Sequence, residues 1–183
     1  MQVDLLTQRM GVFAKLSEVA GVEFGRTALM KLCYLLQEVK NVPLGYTFSL
    51  YSYGPFDSDV LADLQTAQEL RVLDSSVQQF QSGYGYALSQ STNADKVKRA
   101  SEDFLSKYSS EITSVAQNFA RRSASELELV STILFVFNDK KKISDPALVA
   151  LVKAIKPRFS PEEISSKIVW IRDQGLFGRE QTV

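Results

Sequence analysis

The sequence predicts a mainly α (α+β) protein, with a winged-helix-like N-terminal part that carries a small β-hairpin, followed by an α-helical C-terminal bundle. Three observations carry this reading. Apolar residues recur at three- and four-residue steps through most of the chain, the period of a helix with one buried face. Period-two alternation is confined to residues 46–51 and 84–88, which limits the strands to a few short pieces. Capping signals then punctuate the second half at regular intervals. With 183 residues, 45% hydrophobic and 23% charged, the chain can bury a core of one domain, or of two small ones that share it.

The elements follow in order. A first helix is expected over residues 3–20, where Leu6, Met10, Phe13, Leu16 and Ala20 form one apolar face and Gly21 stands at its stop. A second runs from about Arg26 to Lys40. Its inner face is Leu29, Leu32, Cys33, Leu36 and Val39, and Met30, Tyr34 and Leu35 extend apolar surface around it, as in a central helix. After Pro43-Leu44-Gly45, the segment Tyr46–Tyr51 alternates large apolar and small polar residues and reads as a strand. Tyr53-Gly54-Pro55-Phe56 turns the chain. Asp57 or Ser58 then caps a third helix to about Leu70, with Val60, Leu61, Leu64 and Ala67 inward. Residues 71–89 read as a hairpin: Arg71-Val72-Leu73 leads in, Tyr84–Leu88 returns, and a polar Gln/Ser-rich tip joins them. The polar stretch Ser89–Asn93 marks a boundary between a winged-helix-like region, 1–90, and an α-helical region, 91–183, packed on it.

In the second half, Asn93 caps a long helical segment holding Val97, Phe104, Leu105, Tyr108, Ile112, Val115 and Phe119, with a break near Ser109-Ser110. Ser123-x-x-Glu126 is a capping-box pattern ahead of Leu127, Val130, Ile133, Leu134 and Phe137. Asp139-Lys140-Lys141-Lys142 reads as a solvated loop. Ser144-Asp145-Pro146 opens another helix that ends near Lys156-Pro157. Ser160-Pro161-Glu162-Glu163 combines an N-cap, a first-turn proline and a capping-box glutamate for a last helix with Ile164, Ile168 and Ile171 that stops at Gly175.

Composition removes several function classes. The 21 basic and 21 acidic residues balance, so nucleic acid or an anionic membrane gets no bulk attraction. The start has no secretory pattern, no apolar run is long enough to span a bilayer, and the single Cys33 cannot form an internal disulfide; together these predict a cytoplasmic protein. The chain has no histidine at all, which excludes Ser-His-Asp and Cys-His catalysis and histidine-based zinc sites.

The remaining chemical candidates are weak. Cys33 lies on an apolar helix face without a base beside it and reads as a small buried hydrophobe. Asp57, Asp59 and Asp63 cluster where a helix N-terminus favours acids, so they read as structural before they read as a metal site. Glu38-Val39-Lys40 echoes half of a nuclease motif without a completing aspartate, and Gly83-Tyr84-Gly85 lacks the rest of a phosphate loop. The Lys140–Lys142 run is the strongest basic cluster and reads as solvated. The sequence therefore predicts no catalytic residue, no metal and no cofactor.

Two readings of the surface are left. In a winged helix the helix before the wing usually enters the major groove and needs basic or hydrogen-bonding residues. Here the helix over 57–70 holds Asp57, Asp59, Asp63 and Glu69 with no lysine or arginine, and residues 1–90 carry six bases against nine acids. DNA is thereby disfavoured. The aromatic set Tyr51, Tyr53 and Phe56, with Tyr84 and Tyr86 opposite, either closes the core between strand, turn and hairpin or forms an exposed patch for a protein partner.

Arg26-Thr27-Ala28-Leu29-Met30-Lys31-Leu32-Cys33-Tyr34-Leu35-Leu36-Gln37, followed by a strand into Tyr51-Ser52-Tyr53-Gly54-Pro55-Phe56, resembles the K-L-x-Y-L … Y-G-P signature of the YwgA-like family. More distantly it is similar to the SocA or Panacea-type antitoxin domain, and Lys156–Glu163 followed by Gly175-Leu176 resembles the YwgA-like tail. The firm part of the resemblance covers residues 26–56. It implies a mostly helical, non-catalytic module; antitoxins of that group neutralise toxins by binding them or act as protease adaptors. The expected function is therefore a regulatory protein-binding module, antitoxin-like or an accessory subunit of a toxin–antitoxin or phage-defence system. Its partner would be a toxin, a nuclease or a protease-system component. A DNA-binding transcriptional regulator, dimeric through its C-terminal helices, is the alternative, and self-association into a homodimer is compatible with either reading. No membrane partner is expected.

Overall fold

The computed structural model describes residues 4–80 and 83–177. Helix α1 (Leu5–Ala20) starts where the Asp4 carboxylate accepts from the Thr7 N–H and ends at Gly21 in the left-handed region. A two-residue strand, β1 (Phe24–Gly25), leads into α2 (Arg26–Glu38), and a small hairpin of β2 (Ser49–Tyr51) and β3 (Gly54–Phe56) follows. Then come α3 (Ser58–Glu69) and the long hairpin β4 (Leu73–Phe80) and β5 (Gly83–Gln90). The three-stranded sheet has the order β1-β5-β4, so helix, strand, two helices and a two-stranded wing form a winged-helix-like unit. The β2–β3 hairpin is an insertion between its second and third helices.

The second region is helical: α4 (Ala94–Ala100), α5 (Glu102–Lys107), α6 (Ser109–Phe119), α7 (Ala124–Lys140), α8 (Asp145–Ile155) and α9 (Pro161–Asp173). It does not form a separate core. α1 packs on α4, α5 and α6, α2 packs on α6 and α7, and one apolar cluster contains Phe13 and Leu32 together with Val130 and Ile168. Both capping boxes are made in full: Ser123 with Glu126, and Ser160 with Glu163.

Four expectations are corrected by packing. The first expected helix begins at Leu5; residue 3 lies outside the described residues. Of the expected strand over 46–51, only Ser49–Tyr51 pairs as one. The preceding backbone is held by side chains instead: Tyr46 N donates to Gln37 Oε1, and Gln37 Nε2 donates to the Tyr46 carbonyl. The hairpin is longer than expected at its polar end. Arg71 has φ 54° and the Val72 N–H still closes on the Ala67 carbonyl, so the strand starts at Leu73 and the Ser/Gln stretch becomes strand rather than tip. Residues 81–82 of the expected tip lie outside the described residues. Finally, the long segment after Asn93 is three helices. Ser101 divides α4 from α5 where α1 comes close: a Cβ on Gly11 would sit 1.9 Å from Ser101 Oγ, so only glycine admits this crossing.

Candidate partner-binding surface

Sequence reasoning set the five aromatic candidates opposite one another. The structure divides them between two sheets. Tyr51 and Phe56 belong to the β2–β3 hairpin and their rings meet at 5.4 Å between centroids, with Tyr53 at the turn between the strands. Tyr84 and Tyr86 belong to β5 of the wing. They do not close a core between the two hairpins: Tyr51 is 65% exposed, Tyr53 70%, Tyr84 80% and Tyr86 45%, and only Phe56 is half-buried.

The wing surface follows from strand alternation. Tyr84, Tyr86 and Leu88 share one face of β5, and their partners on β4 are Gln79, Val77 and Ser75. At the base Leu88 is buried and paired with Phe24 of β1, so this face is the core face of the sheet. Further out the body of the protein no longer covers it. Tyr86 and Val77 stand opposite each other in solvent, Val77 at 66% exposure. The Arg26 guanidinium lies 3.7 Å from the Tyr86 ring centroid, a cation–π contact that contributes about 0.5–1 kcal/mol. Val77 and Arg26 were missed from sequence. The available signal was Val77 as the lone aliphatic residue in Asp74–Gln79, in register with a tyrosine two residues from another.

The β2–β3 turn stands on a buried charge cluster. Lys31 of α2 is 2% exposed and donates to the Pro55 carbonyl at 2.5 Å. Lys156, at the C-terminus of α8, donates to the Tyr51 and Ser52 carbonyls and ion-pairs with Glu128 of α7 at 3.0 Å. Arg158 reaches the other Glu128 oxygen at 2.7 Å. Burial lowers the Lys31 ammonium to about 8, with Glu128 acting to raise it and Lys156 to lower it further. Gly54, at φ 88°, brings the turn backbone against Thr132 and Ser131 of α7. Residues of the resembling motif, Lys31 and Gly54-Pro55, are thus tied to Lys156 of the tail, and their work is to hold the turn in place.

The other candidates resolve into structural roles. Asp57 caps α3 by accepting from the Asp59 N–H, and it also accepts from the Thr47 N–H. Asp59 is exposed, whereas Asp63 is buried and ion-paired with Arg9 at 3.0 Å. Among the described residues no three carboxylates or thiols group so as to hold a metal. Cys33 is fully buried, and burial pushes its thiol far above the ordinary range, with Asp63 raising it further and Arg9 opposing. Glu38 accepts from Gln37, and Lys140 pairs with Asp139 at the surface. Two open depressions, of about 310 and 610 Å³, are lined by polar and charged residues of α1 and of the α4–α6 segment, and neither is lined by any of the five aromatic candidates. Among the described residues, no helix is long and apolar enough to cross a membrane.

On the surface that a winged helix would offer to DNA, helix α3 and the two wing strands carry no cation among their described residues; the cations beside them are Arg26, stacked on the Tyr86 ring, and Arg71, between α3 and β4. The exposed residues of α3 are Ser58, Asp59, Leu61, Ala62, Gln65 and Glu69, and β4 and β5 contain one charged residue, Asp74. No protein-family model matches this chain, and comparison with curated proteins gives no match either.

Proposed function

We propose that this chain is a non-catalytic, protein-binding regulatory module whose contact surface is the distal face of the wing, Tyr84 and Tyr86 with Val77. One observation carries the reading: the wing face is aromatic and open to solvent, its strands hold no lysine or arginine where a DNA-reading wing would carry them, and the Arg26 cation beside it is stacked on the Tyr86 ring. Tyrosines supply large contact area at little entropic cost and are favoured at interface centres. The Arg26 contact preorganises one of them. Tyr51, Tyr53 and Phe56, on the anchored β2–β3 turn, are the second contact group.

The resemblance over residues 26–56 supports an antitoxin-like role, or that of an accessory subunit in a toxin–antitoxin or phage-defence system. The partner is then a toxin, a nuclease or a protease-system component. The test is co-expression with the products of the adjacent genes. A stable complex and relief of toxicity are expected with the native chain, and both should be lost with Tyr84→Ser/Tyr86→Ser while the far-ultraviolet circular dichroism is unchanged. Retention of promoter DNA that weakens with salt and is indifferent to the two tyrosines would instead support the DNA-binding regulator and overturn this reading.

A further inference from the structure

β4 is the outer strand of its sheet, and among the described residues no strand pairs with its far edge. Residues 74–79 are all exposed. Its pairing with β5 runs unbroken from Leu73 opposite Gln90 to Phe80 opposite Gly83, so no bulge twists the edge away. Monomeric proteins blunt such an edge with lysine, proline, a bulge or a covering element. Here the sequence Asp74-Ser75-Ser76-Val77-Gln78-Gln79 has none of these, and its one charge sits at the base.

We propose that two copies of this chain pair edge to edge through β4, antiparallel about a twofold axis at Val77, to give one continuous sheet across the dimer. The occupant follows from self-complementarity. With Val77 on the axis, Ser76 faces Gln78 of the partner copy and Ser75 faces Gln79, small polar residues against amides. Asp74 and its counterpart lie six residues apart along the strands, about 20 Å at ~3.4 Å per residue. That exceeds the screening length of about 8–10 Å, so the two Asp74 carboxylates add no like-charge penalty, and the Glu23 carboxylate of each copy is held by its own Gln78. A parallel pairing would set the two Asp74 side chains side by side. On the core face of the sheet the same register lines up Tyr86, Val77, the partner copy's Val77 and the partner copy's Tyr86 in one row, each opposite the next. Cross-strand aromatic and β-branched pairs of this kind are the units that stabilise a sheet. The backbone groups along β4 gain the partners that the edge lacks. The inference does not depend on the protein-binding reading: pairing uses the strand edge, and a partner protein would use the face.

The single native thiol, Cys33, is buried, so an introduced surface cysteine reports alone. Val77→Cys should form a disulfide-linked dimer under mild oxidation, because the two residues face each other on the axis. Ser75→Cys should not, because it faces Gln79. The native chain should sediment at twice 20.5 kDa at high concentration. Val77→Lys, which sets two ammonium groups face to face, should raise the concentration at which dimer and monomer balance by about tenfold. A native chain that stays monomeric across the concentration series overturns the proposal. So does equal cross-linking at residues 75 and 77, or a dimer that Val77→Lys leaves intact, since either places the contact elsewhere, for example on the C-terminal helices.

Discussion

Lys156 Nζ lies 3.0 Å from Glu128 Oε1, and both side chains are about 95% buried, so three separate segments meet on one enclosed ion pair. Glu128 comes from α7, Lys156 from the end of α8, and the carbonyls of Tyr51 and Ser52, which accept from the same ammonium, from the β2–β3 hairpin.

The two partners of this pair are not equivalent. Glu128 also faces Arg158 at 2.7 Å and acts on the buried Lys31. Glu128→Gln therefore leaves two buried ammonium groups without their counter-charge and should cost about 3–5 kcal/mol. Lys156→Met leaves Glu128 with Arg158 and should cost less, about 1–3 kcal/mol, mostly for the orphaned carbonyls. Urea unfolding of the two variants measures the difference. Equal losses would show that Arg158, half-exposed, does not support the carboxylate.

Lys31 gives the fold a pH dependence of definite sign. Burial holds its ammonium at about 8, against an ordinary 10.5. Between those values the unfolded chain binds a proton that the folded chain has released, so stability attributable to Lys31 rises with pH across this window. Below about 8 both states are protonated and the cost of the buried charge is present in full. Stability curves of the native chain and Lys31→Met, measured from pH 7 to 10.5, should diverge in favour of the native chain as pH rises. Parallel curves would mean that Lys31 keeps its proton throughout.

What the sequence made legible was what is local. Ser123-x-x-Glu126 and Ser160-Pro161-x-Glu163 announce their helices because both reciprocal bonds close within four residues. The Ser/Gln stretch over 74–79 did not announce a strand, because its reason for being one is Tyr84–Ser89 on the neighbouring strand. Phe24–Gly25 is too short to show any period. The five aromatic residues were legible as a set, since tyrosines at a turn and along a strand stand out. Their division between two sheets was not, because it depends on β5 pairing with β1 and β4 and on β2 pairing only with β3. Lys31 stood out as part of a motif, but its role depends on the Pro55 carbonyl 24 residues away.

Thr132 offers a stabilising substitution. Its hydroxyl is buried with no hydrogen-bond partner among the described residues, against the backbone of Gly54. Thr132→Val keeps the shape and removes the unsatisfied oxygen, and should raise stability by about 1 kcal/mol. Gly54→Ala should act in the opposite direction by about 1–3 kcal/mol, because φ is 88° and the new methyl would lie 3.1 Å from that hydroxyl oxygen. In the double variant the Gly54→Ala cost should persist, since a methyl replaces the hydroxyl at the same distance. Thermal unfolding of the three variants decides the point; a destabilised Thr132→Val would reveal a bound water at the hydroxyl.

Asp59 and Asp63 share a helix face and would be joint ligands of any metal held by α3, yet their surroundings set them apart. Asp63 is buried and accepts from Arg9 Nη1 at 3.0 Å and from the Tyr46 hydroxyl at 2.8 Å. Arg9 spends its other donors on the Leu44 and Gly45 carbonyls and lies 4.0 Å from the Tyr46 ring centroid. Burial raises the Tyr46 phenol, so it remains the donor to Asp63. Neutralising Asp63 strands a buried guanidinium, and Asp63→Asn should cost about 3–5 kcal/mol. Tyr46→Phe keeps the ring beneath Arg9 and loses one hydrogen bond to a charged group, about 1.5–3 kcal/mol. Asp59→Asn, exposed in the first turn, should cost no more than about 1 kcal/mol, the scale of the helix-dipole interaction. A metal reading makes a different prediction: magnesium or calcium would raise the melting temperature of the native chain, and Asp59→Asn would abolish that rise. Melting curves with and without each ion, on the native chain and both aspartate variants, separate a structural Asp63 from a ligating one.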